Sequence, residues 1–231
     1  GGEYDCSSDT GADESAEIVI PDTCVDIIYR IDDMGNIIIS DFCGISDRAF
    51  LSYKSQKAGY KISVFAIRFY AWTAYVFSED SFVGSVRYNW LDRELRSRLA
   101  EPGNMADLIR LTESLLLKKL ETARINKLVD GVMNDILLYQ GALEINQLSK
   151  ENFISSRQME RLFHEYIGMA PKKLSNLVRY QYLWEEIVSQ SNFDIASAVS
   201  KYGYTDLSHM MREFKRYHTM SIREAREMAL K

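Results

Sequence analysis

Only 3 of the 231 residues are proline and only 3 are cysteine. So little proline argues against disorder beyond the ends of the chain. The cysteines, Cys6, Cys24 and Cys43, are odd in number and form no Cys-x-x-Cys pair, which excludes a disulfide framework and fits reduced thiols in a cytoplasm. The three histidines, His164, His209 and His218, stand far from the cysteines along the chain, so neither a metal site nor a cofactor is expected. No run of 18 apolar residues is present, which excludes a membrane-spanning helix. A basic, apolar, small-residue opening is missing too, so no secretion signal is expected; the chain begins Gly1-Gly2, which reads as a scar or a truncation. Net positive charge is also absent. Lys and Arg number 28 against 33 Asp and Glu, a net of −5, which at first sight argues against a nucleic-acid partner.

What is present is a large apolar share, 46%, enough for a real core in one large or two ordinary domains. The expected fold class is α+β. Residues 1–16 are polar and acidic and read as a loose lead-in. From 17 to 122 the pattern is mainly that of an antiparallel β domain flanked by helices. Ile18-Val19-Ile20, Val25–Ile31, Ile37–Ile39, Ala49–Tyr53 and Tyr60–Tyr70 are rich in Ile, Val, Tyr and Phe, and Lys61–Phe69 alternates with period two. Trp90, Leu91, Leu95 and Leu99 then take helical spacing, Pro102-Gly103-Asn104 breaks the chain, and Met105–Leu120 carries a broad leucine stripe. That stripe can cap the sheet, pair with its mate in a homodimer, or do both. From 123 to 231 every periodic segment is helical. The charge splits with the pattern: residues 1–124 hold 14 Lys and Arg against 20 Asp and Glu, and 125–231 hold 14 against 13. A near-neutral domain binds phosphate when its cations share a face.

The helical part repeats itself. At an offset of 51, Met159 aligns with Met210, Arg161 with Arg212, Phe163 with Phe214, Tyr166 with Tyr217 and Met169 with Met220. Each copy follows a short apolar helix and a tight turn, built by Asn152 in the first and Gly203 in the second. Gly141 reads as the stop of the helix before. Ser155, Asp194, Asp206 and Ser221 are fitting N-caps, and Pro171 opens a long helix to about Ser189. The organisation is that of two helix–turn–helix units, about 143–166 and 194–217, joined by one helix of about 28 Å at 1.5 Å per residue. Successive major grooves on one face of a duplex lie about 34 Å apart, so one chain can read two adjacent grooves of double-stranded DNA with some bending.

In such a unit the first helix braces the second, whose outward residues near its N-terminus reach base edges. Met159, Leu162, Phe163 and Tyr166 form the expected inward set of the first copy, and Met210, Met211, Phe214 and Tyr217 that of the second. Outward in the first copy stand Arg157, Glu160 and Arg161, and in the second Ser208, His209 and Arg212. Arginine grips guanine O6 and N7 with two hydrogen bonds, and glutamate accepts from cytosine N4, so these six are the candidate base contacts. Ser155, Ser156, His164, Lys172, Lys173, Lys215 and Arg216 are the candidate phosphate contacts. Each singly is also what an ordinary solvated helix face would carry; the recurrence at one offset is what speaks for a site.

Residues Ala123–Lys231 resemble the DNA-binding domain of the AraC/XylS family of bacterial transcription regulators. Tyr202–Tyr217, YGYTDLSHMMREFKRY, is similar to the family's glycine-aromatic, Asp, Ser, R-x-F-K signature, and Ser155–Pro171 to its S-x-x-x-L-x-R-x-F…G…P pattern. The resemblance implies that the six base-contact candidates fall where family members touch bases. Ala170, Thr219, Ile222 and Asn152 depart from the family's usual Ser or Thr, Gly, Pro and Gly. Ile18–Asp32 and Val64–Trp72 resemble segments of the sensor-like, cupin-like domain that precedes such DNA-binding domains, which implies a small-molecule effector. Tyr29, Arg30, Arg68, Tyr70 and Trp72 are the candidate ligand residues, an arginine being suited to a carboxylate. By the same resemblance the chain is a cytoplasmic bacterial regulator, an activator in the commoner mode, with RNA polymerase as a further partner and no enzyme activity. Two other readings stay open: a protein-interaction module with degenerate helix–turn–helix units, and a thiol enzyme using Cys24 or Cys43.

Overall fold

The computed structural model describes residues 16–32, 37–53, 63–77 and 105–230. The lead-in over 1–15 and the helix expected around Trp90–Leu99 lie outside them. Ala16, expected in the lead-in, instead begins the first strand.

Five strands are described: β1 (Ala16–Val19), β2 (Cys24–Ile31), β3 (Ile37–Cys43), β4 (Phe50–Tyr53) and β5 (Ser63–Tyr70). They form an antiparallel three-stranded sheet in the order β3-β2-β5 and an antiparallel pair β1-β4. The alternation read in the sequence is realised: Val25, Ile27, Tyr29 and Ile31 of β2 and Phe65, Ile67 and Phe69 of β5 are buried on one face. A short helix, α1 (Ala71–Ala74), follows β5 at once.

The helix α2 (Met105–Thr122) turns Leu108, Leu111, Leu115 and Leu116 to the larger apolar cluster. A second part of its apolar arc stays open: Met105, Ile109, Leu117 and Leu120 are 49%, 46%, 63% and 44% exposed. After α2 come α3 (Lys127–Leu138), α4 (Ile145–Glu151), α5 (Ser156–Tyr166), α6 (Pro171–Ser189), α7 (Ile195–Lys201), α8 (Leu207–His218) and α9 (Ile222–Ala229). Asn126 starts α3 two residues later than its apolar spacing suggests, because its side chain accepts the backbone N–H groups of Leu128 and Val129. Gly141 ends that helix at φ 73°, and a Cβ there would lie 2.1 Å from the carbonyl oxygen of Ser175, so α3 and α6 touch backbone to backbone.

The described residues gather in two apolar clusters. The larger runs without a break from the β2–β5 face through α3 to Leu148, Met159, Leu162 and Phe163 of the first helix–turn–helix unit. The smaller gathers Ala198, Met210, Phe214 and Tyr217 of the second unit. The helix α6 belongs to both: Leu174 and Val178 enter the first, Leu177, Tyr180, Leu183 and Ile187 the second. The spacer is therefore anchored at each end by side chains worth about 1.5–3 kcal/mol apiece when fully buried.

Candidate nucleic-acid interface

The two units are built alike residue by residue. α4 and α7 each run seven residues, and each ends with its C-cap at an equivalent place, Asn152 and Tyr202. The next residue is left-handed in both, Phe153 at φ 52° and Gly203 at φ 66°. The following N–H then reaches back, Ile154 to Ser149 at 3.0 Å and Tyr204 to Val199 at 2.9 Å, and both side chains are buried. This corrects the sequence reading of the first turn: Asn152 keeps φ −97° and the left-handed position is Phe153. Asn152 instead donates through its amide to Asp135 at 2.6 Å and to the carbonyl of Leu148 at 3.0 Å, tying the turn to α3. The offset is 50 across the bracing helices and 51 across the reading helices; Thr205 is the extra residue.

The caps supply the reading helices' N-termini. Ser155 accepts from the N–H of Gln158, and Asp206 from that of His209 at 2.7 Å. In α5, Met159, Leu162 and Phe163 are buried and Tyr166 half-buried, while Arg157, Glu160, Arg161 and His164 are exposed. Arg161 pairs with Glu165 at 3.0 Å, so this part of the face balances its own charge, and Glu160 lies 3.9 Å from His164. Arg157 makes no ion pair among the described residues. The hydroxyl of Ser156 lies 2.8 Å from that of Ser149 in the bracing helix.

In α8, Met210, Phe214 and Tyr217 are buried, but Met211 is 43% exposed, against expectation. Neighbours on a helix stand about 100° apart, so Met210 and Met211 cannot share one narrow seam. Ser208, Arg212, Lys215 and Arg216 are exposed; His209 is half-buried, edge-on to the ring of Tyr204 at 5.4 Å. This face carries no acidic residue, for the one carboxylate of α8, Glu213, is buried against Arg179 of α6. The second reading helix is thus the more cationic. Lys172 and Lys173 are exposed at the start of α6, where Ala170 gives no side-chain cap.

Of the N-terminal candidates, Tyr70 and Trp72 come together, and Tyr29 lies apart from them. Tyr29 lies in the core, whereas Arg30, Arg68 and Tyr70 are exposed, and Tyr70 stacks on Trp72 at 4.8 Å. Asp26 and Arg68 sit opposite each other on β2 and β5, and the guanidinium binds both carboxylate oxygens of Asp26, at 2.7 and 2.8 Å, with Asp22 at 3.2 Å. The hydrogen bond to Asp26 holds Arg68 more firmly protonated. Arg68, offered by the sequence as a partner for a ligand carboxylate, thus already holds two carboxylates of the chain on an outer face of the sheet. Cys24 is half-buried, and burial, then the charge of Asp22, pushes its thiol up, the reverse of what a nucleophilic cysteine needs.

Two braced reading helices on a common spacer define a helix–turn–helix protein. Residues 148–228 match the family described as a helix-turn-helix domain. The chain thus carries a helix–turn–helix domain in its C-terminal part. No curated protein matches the chain. Among solved structures, a transcriptional regulator with an AraC-type DNA-binding domain from Chromobacterium violaceum is similar at 19% identity over 44% of this chain and 91% of that one, with a TM-score of 0.40. A probable AraC family regulator from Rhodopseudomonas palustris is similar at 21% identity over 45% and 98%, also with a TM-score of 0.40. ToxT from Vibrio cholerae is similar at 12% identity over 94% and 93%, with a TM-score of 0.47. No helix among the described residues is long and apolar enough to cross a membrane.

Proposed function

We propose that the protein is a sequence-specific transcription regulator that lays α5 and α8 into two adjacent major grooves of a promoter. The supporting observation is the joint anchoring of α6 in both apolar clusters, which makes the 19-residue spacer a rigid rule between two equally capped reading helices. Arg157, Glu160 and Arg161 then read bases from the first unit, and Ser208, His209 and Arg212 from the second. Ser155, Ser156, His164, Lys172, Lys173, Lys215 and Arg216 take phosphates. Binding of a promoter duplex is expected to fall steeply with salt. Arg161→Ala and Arg212→Ala are each expected to lose about 1–3 kcal/mol of discrimination between the cognate site and a scrambled one. Unchanged discrimination in both variants refutes the assignment.

Activation through RNA polymerase, a small-molecule signal entering by the β domain, and a cytoplasmic site of action complete the proposal. So does a homodimer through the open face of α2, with Met105, Ile109, Leu117 and Leu120 meeting their counterparts; Leu117→Glu should leave a sedimenting monomer. One observation favours the rival reading of a protein-interaction module, namely the pairing of Arg161 with Glu165 on α5. Failure to retard any duplex at low salt, with stable capture of a protein, would establish that rival.

A further inference from the structure

The loop between β3 and β4 leaves the sheet and reaches the second helix–turn–helix unit. Ile45 packs against both apolar clusters, Ala49 is buried, and the N–H of Ala49 donates to the carbonyl of Tyr217 at 3.0 Å. These contacts hold Asp47 between two helices of the DNA-binding domain. Its Oδ2 lies 3.5 Å from Nη2 of Arg216, in the last turns of α8, and 3.8 Å from Nζ of Lys173, in the first turn of α6. One carboxylate oxygen thus faces two cations that come from different helices and that both belong to the phosphate-contact set.

We propose that Asp47 is a built-in phosphate mimic, an acidic stop on the N-terminal domain that competes with the DNA backbone for Lys173 and Arg216 and so couples docking of the β3–β4 loop to release of the promoter. This rests on the DNA-binding reading above. The geometry favours competition over mere decoration. A phosphate bridging the two cations would put its oxygens where Oδ2 now lies, and two anions cannot share that place without repulsion. Asp47 is held by backbone and apolar anchors, so the loop must shift, or its carboxylate must turn away, before phosphate can enter. The pairs are half exposed, which makes the stop weak and reversible, as a regulated contact should be.

The test compares the full chain with Asp47→Asn, which keeps the side-chain shape and removes the charge. The probe is a labelled random-sequence duplex, since backbone contacts need no cognate site, and retention is titrated at low and at moderate salt. The variant is expected to bind roughly three- to tenfold tighter at low salt, the gain shrinking as salt rises. A second pair, Lys173→Ala/Arg216→Ala with and without Asp47→Asn, is expected to bind equally, because the competed cations are gone. Equal affinity of the full chain and Asp47→Asn overturns the stop while leaving DNA binding intact. A gain that persists in the Lys173→Ala/Arg216→Ala background overturns it as well, by showing only a general charge effect. If none of the four proteins retains the duplex, the DNA-binding reading falls and the stop with it.

Discussion

Arg179 of α6 and Glu213 of α8 face each other in the protein interior. Nη2 of the arginine donates to both carboxylate oxygens, at 2.7 and 2.8 Å, and Nε adds a bond at 3.1 Å, with side chains only 4% and 8% exposed. The guanidinium also lies 4.2 Å over the ring of Tyr204, beside the second turn. This contact joins the spacer, the turn and the reading helix of the second unit at one point. It thereby sets the angle at which α8 is presented.

Removing one partner leaves a buried charge alone. Glu213→Ala is expected to cost about 3–5 kcal/mol of unfolding free energy, and Arg179→Met/Glu213→Leu clearly less, because no charge is then stranded. Denaturant midpoints at constant m-value measure both. A cost below about 1 kcal/mol for Glu213→Ala would mean that water reaches the pair.

Gly168 and Thr219 stand at the same place after the two reading helices, and both are left-handed, at φ 78° and 65°. Glycine takes that conformation without strain; a β-branched residue does not. Thr219 is held there by its N–H to the carbonyl of Lys215 and its hydroxyl to that of His218. Thr219→Gly should therefore stabilise the fold by roughly 1 kcal/mol, the relieved strain exceeding the added freedom of the unfolded chain. Gly168→Ala should destabilise it by a similar amount. Thermal unfolding of the two variants under one buffer decides it, and a loss of stability in Thr219→Gly refutes the strain.

These two relationships mark what the sequence reveals and what it hides. Caps act over three residues, so Ser155, Asp194, Asp206 and Ser221 are legible from their neighbours alone, and all four accept the expected backbone N–H. The alternation of β5 and the inward set of α5 follow from period. The left-handed residue of the first turn was misread because propensity favours Asn, whereas burial of Ile154 decides which residue must turn. Asp26 and Arg68, 42 residues apart, are brought face to face only by the strand register. Arg179 and Glu213, 34 residues apart, and Asp47 with Lys173 and Arg216 carry no local signal at all. Long-range electrostatics is the part of this site that chain order conceals.

His218 closes the second cluster and carries a pH dependence. Its ring stacks on Phe214 at 4.9 Å, and Nδ1 lies 2.7 Å from the Tyr180 hydroxyl, which donates to it when the ring is neutral and protonated on Nε2. Burial lowers its pKa from 6.5 to about 4, because an imidazolium there would lose its hydration. The unfolded chain therefore binds a proton that the folded one refuses between these values. The stability His218 confers is complete above pH 6.5 and is lost as pH falls from 6.5 towards 4. His218→Asn keeps an acceptor for Tyr180 and removes the titration. On acidification from about pH 7 to about pH 4.5, the wild-type chain should lose roughly 2 kcal/mol more than this variant, the carboxylates contributing equally to both. Parallel stability curves for the two proteins across that range would show that His218 takes up its proton alike in the folded and unfolded chains, so that burial does not hold the ring neutral.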